Sequence, residues 1–204
     1  MQKISGSEIA KKIIDNLKHQ PIPKKILAVI LVGGNLTSLS FLKQKEKVAK
    51  ELGVDFRIYR FQAEIKNDDL RKEVGKIALL KRVGGVIVQL PLPEHLNRHY
   101  ILNVIPREKD VDVLGERALG AFYNNRNFVL PPVVATVEEI LNQSAQTYLS
   151  ARPSAKKLLC SGSHPYILDS KKVAVVGAGF LIGKPIAVWL INQKASPVRN
   201  GISN

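Results

Sequence analysis

The sequence predicts an α/β fold with two domains. The first is a mostly parallel sheet covered by helices, and the sequence holds only the first part of the second. Two observations predict this. Helix-like and strand-like segments alternate in the order α-β-α-β-α-β over residues 3–93, and such alternation favours parallel strands joined by helical crossovers. A further strand, glycine turn and helix follow after residue 170.

Three helix and strand pairs make up the first part of the chain. Apolar residues at helical spacing predict the helices, and Gly53 suits a helix C-cap. Short continuous apolar runs, such as KILAVILV before Gly33 and Gly34, predict buried strands. The predicted helices cover 3–18, 38–52 and a segment that begins near Asp68 or Asp69, and the predicted strands cover 25–32, 54–61 and 84–89.

The pattern is weaker after residue 94. We expect a short helix that ends at Pro106, a loop over 108–122 and a helix over 134–143. Ser, Gly and Pro throughout 144–170 predict a linker. Residues 171–192 then predict a strand, a turn and a helix, and 194–204 show no periodicity. The expected domains are therefore 1–143 and 171–204, joined by the linker 144–170.

The composition describes a basic globular protein. Lys and Arg number 31 against 17 Asp and Glu, a formal net charge of +14. Nucleic-acid binding is one reading of this charge, but the basic residues are interspersed with acidic ones, and small anionic ligands explain it equally well. The single cysteine, Cys160, cannot form an internal disulfide, and no apolar run approaches the roughly 18–20 residues of a membrane span. We expect a cytoplasmic protein with no nucleic-acid, membrane or metal partner.

A glycine turn is the clearest single motif. In VAVVGAGFLIGKP, Gly177, Gly179 and Gly183 follow a strand and precede a helix. Such turns let the backbone approach a phosphate at a helix N-terminus, although the dinucleotide fingerprint G-x-G-x-x-G is one residue shorter. The same glycines could instead serve only the packing of a tight turn. The context favours a Rossmann-type nucleotide site.

Two polar residues are expected at the carboxyl edge of the first sheet. Lys45 lies on the predicted helix after the first strand, and Gln89 ends the strand 84–89. Open α/β sheets bind ligands at this edge, and a lysine in a cleft can move protons or stabilise negative charge. Taken alone, Lys45 reads as a solvated helix lysine, and Asp110 and Asp112 read as loop carboxylates.

Taken together, these segments resemble the bifunctional methylenetetrahydrofolate dehydrogenase/cyclohydrolase family, known as FolD in bacteria. The matching segments occur in order along nearly the whole chain. They are ISGSEIAKKI, ILAVILVGGNLTSLSFLKQKEKVAKELGV, GGVIVQLPLPEHL, REKDVDV, LPPVVATVEEIL and VAVVGAGFLIGKPIAVWL. The resemblance implies a folate-binding first domain and a Rossmann-type second domain that binds NADP or NAD.

The resemblance also implies an activity and a set of site residues. The family oxidises 5,10-methylenetetrahydrofolate to the methenyl form and hydrolyses that to 10-formyltetrahydrofolate. Its essential lysine falls on Lys45, the glutamine that tunes it on Gln89 and the aspartate that contacts the pterin on Asp112. Implied substrate contacts are Phe41, Leu90, Pro91 and Val133, and implied cofactor contacts are Gly177, Ala178, Gly179 and Gly183.

The chain departs from the family pattern at several of these positions. Phe41 replaces a tyrosine, and Val133 replaces a hydroxyl residue. Val113 replaces the usual glycine after the aspartate, so we expect its loop to adopt other backbone angles. Ala178 and Gly179 replace the arginine and serine that favour NADP, which leaves NAD and NADP open.

The partial second domain leaves a second hypothesis open. The family commonly forms homodimers through the cofactor domain, and a homodimer is expected of a full-length member. A 204-residue chain with one strand–turn–helix unit is alternatively a truncated, inactive member that keeps only a folate-site remnant. The least favoured hypothesis is a basic nucleic-acid-binding α/β module.

Overall fold

The computed structural model describes residues 4–34, 36–151, 172–193 and 196–197. These residues fold into two compact units, one of which is Gly6–Val129, while the other contains the described residues from Leu130 onward. The first unit contains helices α1 (Gly6–Lys18), α2 (Leu36–Glu51), α3 (Asn67–Leu79), α4 (Arg98–Leu102) and α5 (Glu116–Tyr123), and strands β1 (Ile26–Val32), β2 (Phe56–Phe61) and β3 (Val83–Val88). The second contains helices α6 (Pro132–Ala151) and α7 (Gly183–Asn192) and strands β4 (Lys172–Val173) and β5 (Ser196–Pro197).

The first unit is built on a three-stranded parallel sheet in the order β2-β1-β3. The central strand β1 pairs with both neighbours, so that Ile30 lies opposite Tyr59 on one side and Val88 on the other. Strands buried on both faces need apolar side chains on both, which explains the continuous apolar run of β1. The parallel fold predicted from the alternating segments is confirmed.

The side chains of β1 divide between two apolar clusters, as the two-residue period of a strand requires. Ala28, Ile30 and Val32 join the larger cluster, which includes the buried face of α3. Val29 and Leu31 join the smaller cluster, which contains Leu42 of α2. Helix α2 is therefore fastened to the sheet through Leu42, which fixes the helix that carries Lys45.

The predicted loop 108–122 is wrong in its second half, because residues 116–123 form helix α5. This helix buries Ala118, Leu119, Ala121 and Phe122 along one side, an apolar spacing typical of an amphipathic helix. Residues 108–115 of the expected loop contain no α-helix, and the 3₁₀ turn Arg107–Lys109 ends within them.

Helix α6 is longer than the helix predicted over 134–143. It ends at Ala151, so residues 144–151 continue a helix and do not begin the linker. Helix α6 packs against α7 in the second unit, which comprises residues 4–5 and the described residues from Leu130 onward. The domains expected over 1–143 and 171–204 stay a prediction. The remainder of the predicted linker, including Cys160, lies outside the described residues.

Two short strands complete the second unit. The predicted strand after residue 171 is regular only over Lys172–Val173, and it pairs in parallel with Ser196–Pro197. Residues Ser196–Pro197 lie in the segment 194–204, for which the sequence predicted no regular structure. Backbone pairing of two residues leaves no side-chain period to detect. The rest of that segment is outside the described part of the chain.

Candidate active site

Gln89 stands at the carboxyl edge of the sheet, one residue beyond β3. Its backbone N–H donates to the Ile30 carbonyl at 2.9 Å, so the strand ladder fixes its position. The side chain is buried and makes two hydrogen bonds: Nε2 donates to the Leu90 carbonyl at 3.0 Å, and Oε1 accepts from the Lys45 Nζ at 3.2 Å. The Leu90 carbonyl can only accept, which turns the amide oxygen of Gln89 toward the lysine.

Lys45 reaches this edge from α2 and is half-buried. An ammonium group has three donors, and Gln89 occupies one of them. The predicted pairing of these two residues at the strand ends is therefore present in the structure. A lysine held against the edge of a parallel sheet can stabilise an oxyanion or move a proton at a bound substrate.

Asp112 lies close enough to Lys45 for the two charges to interact. Burial raises the pKa of the Asp112 carboxyl above its usual value, the Lys45 ammonium opposes that rise, and the Asp110 carboxylate adds to it. The first unit thus brings together the three predicted catalytic residues: one cation, one amide and one carboxyl group whose charged form is disfavoured by burial.

Asp110 lies in the loop before α5, in agreement with its interpretation as a loop carboxylate, but it is buried. Its side chain is 3% exposed, and Oδ2 accepts hydrogen bonds from the backbone N–H groups of Leu114 at 3.0 Å and Gly115 at 2.7 Å. Burial raises the pKa of the Asp110 carboxyl, whereas the amides of residues 112–115 oppose the rise. A buried carboxylate that organises backbone amides leaves no periodic signal in the sequence.

Val113 corrects a second expectation. We expected the loop to avoid the backbone angles of the glycine usual at this position, yet Val113 has φ of 55°, in the left-handed region that glycine favours. The side chain is 2% exposed. The loop therefore keeps a glycine-like path with a β-branched residue, a conformation that costs energy and needs support from its surroundings.

Three predicted substrate contacts lie in the same unit. Phe41 precedes Lys45 by one helical turn on α2, which places both on one face, and its ring is 56% exposed. Leu90 is half-buried and Pro91 exposed, and a cis peptide bond joins them directly after Gln89. These residues offer apolar surface beside the Lys45–Gln89 pair.

The predicted dinucleotide contacts and Val133 belong to the second unit. Gly177 has φ of 93°, and a Cβ on Gly183 would collide with the carbonyl oxygen of Gly177. Gly179 has open space around its Cα, and its carbonyl accepts from the Lys184 N–H at 3.1 Å. Glycine is thus required at Gly177 in the exposed turn 177–179 and at Gly183, the first residue of α7. Val133 is half-buried at the start of α6.

Other site types receive no support from the described residues. Among them, no group of three His, Cys, Asp or Glu side chains is arranged to hold a metal ion. No helix in the described ranges is long and apolar enough to cross a membrane. A groove of about 520 Å³ between the 3₁₀ turn and α5 has none of the predicted site residues in its lining.

The fold and the site define an α/β protein with a polar cluster at the carboxyl edge of a parallel sheet and a separate strand–glycine turn–helix unit. A family model described as tetrahydrofolate dehydrogenase/cyclohydrolase, catalytic domain, matches residues 4–112. Because this match spans more than half of the chain, the chain belongs to that family.

Individual relatives agree with this assignment. The chain is 33% identical to the bifunctional protein FolD of Mycoplasmopsis synoviae, covering 96% of this chain and 66% of the relative. It is 31% identical to FolD of Clostridium botulinum strain Eklund 17B, covering 96% and 64%. The chain therefore spans slightly less than two thirds of the length of these relatives.

Solved structures show the same fold. The bifunctional FolD dehydrogenase/cyclohydrolase of Campylobacter jejuni aligns at a TM-score of 0.71 with 26% identity, covering 97% of this chain and 65% of that one. A Trypanosoma brucei FolD structure, solved with NADP and an inhibitor, aligns at 0.77 with 24% identity, covering 97% and 63%. At that identity the second likeness concerns the fold alone.

Proposed function

We propose that this chain is the folate-binding part, with the beginning of the cofactor-binding part, of a bifunctional one-carbon enzyme. The enzyme oxidises 5,10-methylenetetrahydrofolate to 5,10-methenyltetrahydrofolate and hydrolyses that product to 10-formyltetrahydrofolate. The observation that carries the proposal is the 3.2 Å hydrogen bond between the Lys45 Nζ and the Gln89 Oε1, beside Asp112, in a chain of this family.

Lys45 and Gln89 are assigned to the hydrolytic step. Water must add to the methenyl carbon and lose a proton. The bond from that carbon to N5 must then break, so that N5 takes up a proton and the carbon keeps the oxygen as the formyl carbonyl on N10. An ammonium group beside that carbon can stabilise oxygen-centred charge and, after losing its proton, can accept one. The Gln89 amide orients the lysine through Oε1, while the bond from its Nε2 to the Leu90 carbonyl prevents the amide from turning.

Asp112 is assigned to recognition of the pterin ring. A carboxylate can accept two parallel hydrogen bonds from the amino group and the ring N–H of the pterin, a matched bidentate pair. Phe41 supplies an exposed aromatic face for stacking, and Leu90 and Pro91 supply apolar surface. Val133 remains a predicted substrate contact in the second unit.

NADP or NAD is the proposed cofactor of the oxidative step. The glycine turn fits a pyrophosphate. Gly177 has a positive φ, a side chain at Gly183 would collide with the Gly177 carbonyl, and exposed backbone precedes the start of a helix. Gly177, Ala178, Gly179 and Gly183 would hold the cofactor, which when bound supplies the hydride acceptor. Ala178 and Gly179 offer no charged group to distinguish the two dinucleotides.

A second candidate function is folate binding without dehydrogenase activity. The observation that favours it is the exposure of the turn region, where Val176 is 99% exposed although it follows an apolar strand segment. Under this alternative the chain still binds folate through Asp112 but forms no methenyl product with NADP.

We also propose that the intact protein acts in the cytoplasm as a homodimer, which light scattering of the intact protein tests.

The decisive variant is Lys45→Met, assayed for hydrolysis of 5,10-methenyltetrahydrofolate by the loss of its absorbance. We expect hydrolysis to fall at least about 100-fold, the lower range of a general acid–base contribution, while folate binding stays measurable. Lys47→Met is the matched control, because Lys47 is exposed on the same helix. Undiminished hydrolysis by Lys45→Met would sink the assignment.

A further inference from the structure

Asp110 is a buried carboxylate that the proposed chemistry does not use. It is 3% exposed, and the amides of residues 112–115 surround it. We propose that Asp110 is a positioning residue of the site: its carboxylate holds the 112–115 turn in the one conformation that places Asp112 beside Lys45. The inference rests on the proposed role of Asp112 and adds a residue that touches no substrate.

Asp110 is itself held from the sheet side. Its backbone forms a parallel bridge with Val86 in β3, the strand that ends at Gln89. The preceding residue, Lys109, donates from Nζ to the carbonyls of Ala78 at 2.6 Å and Leu80 at 3.0 Å, at the C-terminal end of α3. The base of the turn is therefore fixed to the same scaffold as Gln89, and Asp112 follows two residues later.

The turn needs such a support because its own sequence opposes its shape. Val113 is a β-branched residue at φ of 55°, a strained conformation that persists only where the surroundings determine it. The hydrogen bonds from Leu114 and Gly115 to the Asp110 Oδ2 fasten the chain directly after Val113. A Cβ at Gly115 would lie 3.1 Å from that oxygen and 3.2 Å from the Leu102 carbonyl, so the approach is tight on both sides.

The kinetic test uses Asp110→Asn, which keeps the size of the side chain but removes its charge. We expect the KM for 5,10-methenyltetrahydrofolate to rise at least about tenfold, the effect of losing one well-placed charged hydrogen bond, with a much smaller change in kcat. Val113→Gly in the Asp110→Asn background should recover part of this loss, because glycine adopts a positive φ without strain.

Val74→Ala controls for loss of stability alone, since Val74 is fully buried on α3 and belongs to none of the predicted site residues. Its KM should match the parent even where it melts lower than Asp110→Asn. If both variants show the same KM, Asp110 is structural only and the proposal is overturned.

A second test does not depend on activity. The pKa of the Asp112 carboxyl is measured by NMR in the parent and in Lys45→Met, then again with both carrying Asp110→Asn. Removing Lys45 should raise the Asp112 pKa in the parent, because the ammonium lowers it. In the Asp110→Asn background that rise should shrink to less than half.

An equal rise in both backgrounds would contradict the positioning role, because Asp112 would then still face Lys45 without the Asp110 charge. If the rise in the Asp112 pKa is smaller in the Asp110→Asn background but the parent protein itself fails to bind folate, the positioning role stands and the proposed function is refuted. The two proposals therefore fail separately.

Discussion

At the scale of single residues, the site joins groups that are individually unremarkable in the sequence. Lys45 is one lysine among many, and Gln89 is an amide at a strand end; their hydrogen bond exists because β1 and β3 are parallel neighbours. Asp112 gains its character from burial, which raises its pKa. Function at this site therefore depends on environments that the fold supplies, and two residue-level predictions test them.

Asp112→Asn should make the protein more stable and less able to bind folate. A carboxyl group whose pKa is raised in the folded state binds its proton more tightly there. The folded state consequently loses stability as the pH rises from the unfolded-state pKa through the folded-state pKa. At pH 7 the variant should melt higher by up to about 4 °C, the change that 1 kcal/mol gives in a protein of this size.

The pH dependence of this difference provides the control. Below about pH 4, where Asp112 is protonated in both states, the two melting temperatures should converge. A gap of the same size at every pH measured by calorimetry would show that the Asp112 charge is not its cause.

Val113→Gly should be more stable than Val113→Ala. Both variants remove the two γ-methyl groups of the buried valine, so they differ by one Cβ methyl, which favours alanine, and in backbone preference. Alanine normally exceeds glycine in stability, but at φ of 55° the order should reverse by about 1 kcal/mol. Urea unfolding of the two variants measures this directly, and the usual order would contradict a left-handed Val113.

At the scale of elements, the strand–turn–helix of the second unit depends on the close approach of Gly183 to the Gly177 carbonyl. Gly183→Ala should weaken dinucleotide binding strongly and lower the melting temperature, because its Cβ would collide with the Gly177 carbonyl. Gly120→Ala on α5 is the control for a glycine-to-alanine change without a collision, since an added Cβ there has open space and Gly120 belongs to none of the predicted site residues. Calorimetric titration with NADP separates the two, and equal effects would mean that the turn tolerates a side chain at residue 183.

The elements also show how far the sequence could predict this protein. The three strands and the first three helices follow from the spacing of apolar residues and from the residues that end each element. The placement of Lys45 and Gln89 at one carboxyl edge follows from the rule for open α/β sheets, whereas the pairing of the two side chains was implied only by the family resemblance. Helix α5 carried a detectable signal in its apolar spacing, which the loop interpretation overlooked.

The C-terminal extent of α6 and the support of Val113 could not be predicted from the spacing of residues in the sequence. Residues 144–151 remain helical as the last turns of α6, a helix that packs against α7. The linker was predicted from the Ser, Gly and Pro content of 144–170 as a whole, which hides the absence of Gly and Pro from 144–151. The support of Val113 by Asp110 depends on a buried carboxylate that meets backbone amides, and side-chain periodicity does not report such contacts.

At the scale of the whole molecule, the two compact units differ in how well they bury their apolar residues. The first surrounds a sheet whose central strand is almost fully buried, whereas the second exposes Val176 and has strands of two residues. We expect the second unit to unfold at a lower temperature than the first.

Trp189 makes this expectation measurable, because it is the single tryptophan of the chain and is buried in α7. Its fluorescence should report an earlier thermal transition than far-UV circular dichroism, and NADP should shift only the fluorescence transition upward. Coincident transitions by both probes would show that the units unfold together.

Calorimetric titration of the chain with a stable reduced folate tests directly whether the Lys45–Gln89–Asp112 cluster is a folate site. We expect saturable binding with one site per chain, weakened at least about tenfold in Asp112→Asn through loss of the charged hydrogen bonds to the pterin. Absence of binding, or equal affinity in the parent and the variant, would contradict a folate site at this cluster.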